Sequence, residues 1–340
     1  MACCTVCRRF YGADLMTDSN PHWSRIGESG TVLGMKFMLM IFRVFGPRGF
    51  RLLLYPVMVY YYLSQPEARA ASKQYLQQIS HYLPEDERAR LSSFRHFVMF
   101  GEIMMDKLLV WMGKILRDDV EFETPDTISK IETERKGGII IVSHLGNFEV
   151  CSALANRVPN LKLTILIYTQ HAEKFNRLMK RVSGKTDVEI MQVTDISPVT
   201  AMILSERVNA GGYVVIAGDR TPVTGQKRVS RVRFLGREAP MPQGAFVLAG
   251  LLKCPVYLMF CLKQQDRYHV YVEQFARKLE FSNRKKRLET LDDAVQKFAL
   301  RLEFYCLKAP LQWFNFFPYW DSAAQSRNNP VPGGEPNIRI

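Results

Sequence analysis

Residues 139–150 read IIIVSHLGNFEV. The run IIIV is short, apolar and β-branched, the pattern of a strand buried on both faces; a half-exposed strand would alternate. Gly146-Asn147 supplies a turn, Asn147 can cap, and FEVCSALANRV continues with helical character. His144 therefore stands where a buried strand passes into a loop. On one straight helix His144 and Glu149 would point about 140° apart. They meet only if His144 lies in the loop and Glu149 in the first helical turn, which is what the local pattern predicts. The helix dipole would then help keep Glu149 ionised, and the carboxylate would orient the imidazole. Taken alone, a histidine in this setting is more often an ordinary loop residue.

The stretches on either side set the fold class. Strand-like runs recur at KLTILIY (162–168), VEIMQV (188–193), YVVIAG (213–218), PVYLMFCL (255–262) and YHVYVEQF (268–275). Helical stretches such as EKFNRLMKRVSG and PVTAMILSERVNAG lie between the earlier ones. Alternation of this kind predicts an α/β core over 119–320 with a central, mostly parallel sheet flanked by helices. The last two runs read as a hairpin across QQDR, and LETLDDAVQKFALRLEFYCLKA as a closing amphipathic helix.

Upstream, 21–118 reads as helical. Pro66 and Pro84 open two amphipathic stretches whose apolar residues recur every three or four positions. His81 and His96 lie within them, without a partner at ligand spacing, and read as surface or packing residues. Residues 32–63 are the most lipid-like part of the chain, interrupted by Arg43, Arg48 and Arg51, with Pro47 and Pro56 expected to break helical continuity. The apolar run from Leu52 to Leu63 is shorter than the roughly 20 residues that span a bilayer. An interfacial anchor, with arginines at headgroup level and tyrosines in the interface, fits better than a helical hairpin packed on the core, the other reading. Residues 1–20 and 321–340 read as disordered.

The composition is that of a folded protein: 47% hydrophobic and 23% charged residues. A formal charge of +13, from 46 Lys+Arg against 33 Asp+Glu, calls for an anionic partner. The basic residues are dispersed and no nucleic-acid recognition motif occurs, which disfavours nucleic acid. The odd number of cysteines, seven, and their apolar settings suit reduced thiols. No second Cys/His pair follows Cys4-x-x-Cys7 at zinc spacing, so no metal is expected. With neither a P-loop nor G-x-G-x-x-G after a strand, no nucleotide cofactor is expected either. The first fifteen residues lack the apolar core of a secretory signal.

Binding groups in such a sheet collect where the carboxyl ends of strands pass into loops. Asp219 and Arg220 follow YVVIAG at such an end, and Arg220 offers a planar fork of donors for a phosphate, or else pairs with Asp219 at the surface. Lys227, Arg228, Arg231, Arg233 and Arg237 form a basic run beyond it. That run is suited to an anionic lipid surface or an acidic carrier protein, and equally to a solvated loop. WFNFFPYW at 313–320 either lines an acyl channel or interface or packs the core.

HLGNFE at 144–149 resembles the H-x4-D/E signature of the lysophospholipid acyltransferase superfamily, and most closely its bacterial branch of late lipid A biosynthesis acyltransferases. The likeness runs from about Pro21 to Trp320. HW at 22–23 with GESG, FNRLMKRVSG at 175–184, GDRTPV at 218–223 and FLGREAPMPQGAFVLAGLLKCPV at 234–256 resemble that branch's blocks in the same order. The resemblance implies a glycerolipid acyltransferase-like fold with a membrane-associating N-terminal region, on the cytoplasmic face of a bacterial inner membrane. It implies O-acyl transfer from an acyl carrier protein, or coenzyme A, to a lipid hydroxyl, without cofactor. His144 would be the general base and Glu149 its orienting carboxylate. Asn147, Asn176, Arg177, Asp219 and Arg220 would contact substrate, and Lys227, Arg228, Arg231 and Arg233 the carrier or headgroup. Branch members commonly have Asp-Gln where this chain has Asp219-Arg220, and end on a Trp-x-His-basic sequence that is absent here. Both departures point to another acceptor or acyl group, such as an ornithine-type or aryl-polyene-type lipid. The rival readings are a thioesterase using the same pair and a non-catalytic basic membrane-binding protein.

Overall fold

The computed structural model describes residues 32–111, 120–150, 161–167, 188–192, 197–220, 228–265, 267–281 and 283–320. Expectations for Cys151 and the helix after it, Asn176, Arg177, Lys227 and both termini lie outside these residues.

The apolar runs form a seven-stranded sheet in the order β1-β9-β8-β2-β5-β3-β4. Its strands are β1 (Val120–Phe122), β2 (Gly138–Val142), β3 (Leu163–Ile167), β4 (Val188–Gln192), β5 (Tyr213–Ala217), β8 (Val256–Gln264) and β9 (Arg267–Ala276). All neighbours are parallel except β8 and β9, the expected hairpin. Every residue of β2 is buried, as the unbroken apolar run requires. Ile139 and Ile141 face one core layer with Val214, Ile216 and Phe298. Ile140 and Val142 face the other with Val215, Ile128 and Ile131.

Helix α5 (Pro125–Glu134) covers the second face, and the closing helix, α8 (Arg284–Lys308), covers the first. Helices α6 (Pro198–Asn209) and α7 (Gly244–Leu252) complete the core. Cys254, Cys261 and Cys306 are buried free thiols.

The segment after β5 differs from one of its two sequence readings. The basic run continues not as a solvated loop but as a two-stranded antiparallel hairpin, β6 (Val229–Phe234) and β7 (Arg237–Pro242). Ser230, Val232 and Phe234 are buried while Arg231 and Arg233 are exposed, so strand periodicity sorts the charges to one face. Leu235 and Gly236, both at positive φ, make the two-residue turn.

The N-terminal part comprises α1 (Val32–Ser64), α2 (Pro66–Ser80), the short α3 (Glu85–Arg88) and α4 (Ser93–Trp111). Helix α1 kinks at Gly46, immediately before Pro47; Pro56 lies inside the helix without the expected break. One face of α1, with Phe50, Leu54 and Met58, packs on Val98 and Met105 of α4. Gly101 permits that approach, because a Cβ there would lie 2.8 Å from Leu54 and 2.9 Å from Met58. The other face leaves Leu52, Tyr55, Val59, Tyr60 and Leu63 exposed. Among the described residues no helix is long and apolar enough to cross a membrane.

Candidate active site

Strands β2 and β5 are parallel neighbours, with Val142 opposite Ala217. Two further residues along each strand bring His144 opposite Asp219. The Asp219 carboxylate receives His144 twice: the main-chain N–H donates to Oδ2 at 2.8 Å, and ring Nδ1 lies 2.8 Å from Oδ1. Trp313 Nε1 donates to Oδ2 at 3.1 Å, and the Tyr319 hydroxyl donates to the Asp219 main-chain oxygen. Asp219 is buried. Burial alone would raise its pKa, but the imidazole beside it, the hydrogen bonds from His144 and the Arg220 charge bring it down to about 2.

An ionised carboxylate only accepts, so Nδ1 carries the imidazole proton and Nε2 keeps its lone pair. Among the described residues none hydrogen-bonds Nε2, and 26% of the His144 side chain is open to solvent. The His144 pKa is lowered. Desolvation is the main cause, Arg220 and Lys107 add to it, and Asp219 opposes it. The imidazole is therefore neutral near pH 7 and available as a base.

The loop after His144 is held from three sides. Gly146 N–H donates to Gln312 O, Asn147 N–H to Cys261 O, and Phe314 N–H to His144 O. Gly146 has φ +70°, and a Cβ there would collide with the Cys261 carbonyl oxygen, so only glycine fits. Phe148–Val150 forms a single 3₁₀ turn.

The sequence reading paired His144 with Glu149; the structure gives Nδ1 of the imidazole to Asp219. Glu149 instead faces α4, where Lys107 Nζ lies 2.6 Å from its Oε1 and 4.8 Å from the Phe148 ring centroid. A 3₁₀ turn sends successive side chains 120° apart, whereas the parallel register delivers Asp219 straight across from His144. Arg220 stays beside the pair, its Nη2 donating to Phe314 O at 2.5 Å with the guanidinium 5.8 Å from the Phe317 ring centroid. Asn147 is buried, its amide reaching the Tyr268 hydroxyl, which itself donates to Asp106 beside Lys263. Arg228, Arg231 and Arg233 stay on the surface, and Arg231 pairs with Glu238.

WFNFFPYW is core rather than a surface strip. Trp313, Phe314, Tyr319 and Trp320 are buried. Phe314 and Phe316 pack on His96, and Trp313 on Tyr75 and Phe234. His96 is a packing residue, fully buried between the Ser72 hydroxyl and the Trp313 carbonyl.

A family model described as bacterial lipid A biosynthesis acyltransferase matches residues 21–322. The chain belongs to that family. It is an acyltransferase, and the family's chemistry is acyl transfer to a lipid acceptor. The match extends over the helical N-terminal part as well as the core, so the helices beside the site belong to the enzyme's common plan. No curated protein matches the sequence of this acyltransferase.

Proposed function

We propose that this acyltransferase moves an acyl group from an acyl carrier protein thioester, or a coenzyme A thioester, to a lipid hydroxyl, with His144 as general base. The observation that carries the reading is the His144 imidazole, anchored to Asp219 through Nδ1 and open at Nε2. Nε2 takes the hydroxyl proton as that oxygen attacks the thioester carbonyl carbon, and Asp219 stabilises the imidazolium that forms. The tetrahedral intermediate then expels the thiolate, which takes the proton back from Nε2. No acyl-enzyme is needed. Arg220 and Lys107 place positive charge beside the developing oxyanion and the phosphates of donor or acceptor. Glu149 holds Lys107 in that role.

The working surface is the cytoplasmic face of a bacterial inner membrane. The exposed stripe Leu52, Tyr55, Val59, Tyr60 and Leu63 lies in the interface, while Arg228, Arg231 and Arg233 meet the carrier protein or anionic headgroups. The Asp219-Arg220 pair favours an acceptor other than the usual lipid A precursor.

The test mixes full-length protein, radiolabelled acyl carrier protein thioester and lipid vesicles, with and without a lipid extract containing lipid A precursors and aminolipids. Transfer places label in a lipid only when acceptor is present, and His144→Ala abolishes it. Release of free acid at one rate with or without lipid would make the protein a thioesterase instead.

A further inference from the structure

A carboxylate that must hold an imidazole in one orientation has to be held itself. Asp219 Oδ2 has two donors, the His144 main-chain N–H at 2.8 Å and the Trp313 indole N–H at 3.1 Å. The first belongs to the residue being positioned, so Trp313 is the independent anchor. Its ring is fully buried, 5.0 Å from Tyr75, 5.1 Å from Phe234 and 5.0 Å from Tyr319 between centroids.

The Trp313 main chain is fixed as well. Leu145 and Trp313 form an antiparallel bridge, and the Trp313 carbonyl meets His96 Nε2 at 3.0 Å. That carbonyl only accepts, so Nε2 carries the His96 proton and Nδ1 accepts from the Ser72 hydroxyl, which accepts from Ser93. Next along the chain, the Gln312 side chain bonds both the N–H and the carbonyl of Lys263. An indole fixed at so many points delivers its N–H to one place. Packing alone would need the ring and not the N–H, since a benzothiophene fills the same space.

We infer that Trp313 is a positioning residue for acyl transfer: its indole N–H holds Asp219 Oδ2 so that Oδ1 stays aligned on His144 Nδ1. The inference rests on the proposed pairing of His144 with Asp219 in the reaction. Without the N–H, Oδ2 keeps one donor and the carboxylate loses its fixed orientation while staying beside the imidazole. The freed carboxylate is also less neutralised and favours the imidazolium more strongly. Loss of one hydrogen bond to a charged group corresponds to about a tenfold loss of kcat. KM holds, because a buried indole offers no surface to substrate.

The test uses the full-length enzyme with Trp313 replaced by 3-benzothienylalanine, which keeps the ring shape with sulfur in place of N–H, and separately Trp313→Phe. Acyl transfer gives kcat and KM. Carbethoxylation of His144 by diethyl pyrocarbonate across pH, followed by mass spectrometry of its peptide, gives the imidazole's protonation midpoint. The expected result for the benzothienyl variant is kcat about tenfold down, KM within about twofold, and the labelling midpoint moved to higher pH. Trp313→Phe should lose at least as much. A benzothienyl variant with wild-type kcat and midpoint overturns the inference, whatever Trp313→Phe does. Asp219→Asn separates the two levels. If Asp219→Asn turns over normally, the His144–Asp219 reading fails; if it is inactive while the benzothienyl variant is normal, only the Trp313 inference fails.

Discussion

Asp219→Asn is the sharpest perturbation of the site, because the geometry says what asparagine would keep and what it would reverse. Its amide oxygen can take the place of Oδ2 and still accept from His144 N–H and Trp313 Nε1, now at 2.8 and 3.1 Å. Its amide nitrogen then occupies the place of Oδ1, 2.8 Å from His144 Nδ1. An NH2 group there donates, so Nδ1 must accept, and the imidazole proton moves to Nε2. The fold survives, but the base has lost its lone pair. The comparable tautomer reversal in serine proteases costs about 10⁴ in kcat, equivalent to about 5 kcal/mol in the barrier. Steady-state transfer of labelled acyl groups to lipid, on protein whose melting temperature and circular dichroism match wild type, measures it. Glu149→Gln serves as the comparison and should lose less, because Glu149 acts through Lys107. An Asp219→Asn enzyme within about tenfold of wild-type kcat, beside a Glu149→Gln enzyme that is dead, would refute the assignment and return the imidazole to Glu149.

Other outcomes follow from the same geometry. The acid limb of kcat/KM should have its midpoint below the usual histidine value, because desolvation and Arg220 lower the His144 pKa; activity rises as pH climbs through that midpoint, and Arg220→Met should move it upward. Burial takes His96 down to about 4 from 6.5, so below pH 6.5 the unfolded chain gains a proton that the folded chain refuses. Stability should fall by about 3 kcal/mol between pH 6.5 and 4, and His96→Gln should remove that part of the slope in urea melts. Gly146→Ala should cost more than about 2 kcal/mol in urea unfolding, since its Cβ and the Cys261 carbonyl cannot both be accommodated. Replacing Leu52, Tyr60 and Leu63 together by serine should leave stability within about 0.5 kcal/mol per site, the side chains being exposed, yet reduce co-sedimentation with anionic vesicles. Undiminished co-sedimentation would remove this stripe from the membrane contact.

The sheet was legible because a parallel strand covered on both faces must be apolar along its whole length. IIIV and VVIA satisfy that requirement, and LTILI departs from it only at Thr164, whose hydroxyl accepts from Arg207. The hairpin β6–β7 carries its own signal in the alternation VSRVRF, but with five basic residues between 227 and 237 that period is masked by charge. Each half of the candidate site was visible separately: His144 follows IIIVS, and Asp219 follows YVVIAG. Their pairing spans 75 residues and depends on β5 returning beside β2 in one register. Nothing within either segment encodes that register. Glu149, five positions from His144, was the carboxylate that local spacing could supply. The rule that would have found Asp219 concerns the fold: in parallel neighbours, polar residues at equal distance past the strand ends face one another.

The aromatic segment shows the same division between local and distant information. Composition left WFNFFPYW open between lipid contact and core packing, because aromatic side chains suit both. Its partners decide the matter, and they come from α2, α4 and β6, as Tyr75, His96, Phe100 and Phe234. The segment that follows α8 therefore lies across the carboxyl edge of the sheet, tied to the N-terminal helices on one side and to Asp219 on the other. Helix α4 makes a second link, since Lys107 reaches Glu149 and Asp106 reaches Lys263. A displacement of α4 relative to the core would have to strain His96–Trp313, Lys107–Glu149 and Asp106–Lys263 together. Each of these contacts adjoins the loop that carries His144. The geometry of His144 thus depends on the seating of the N-terminal helices, a dependence that isolated motifs in the α/β core do not express.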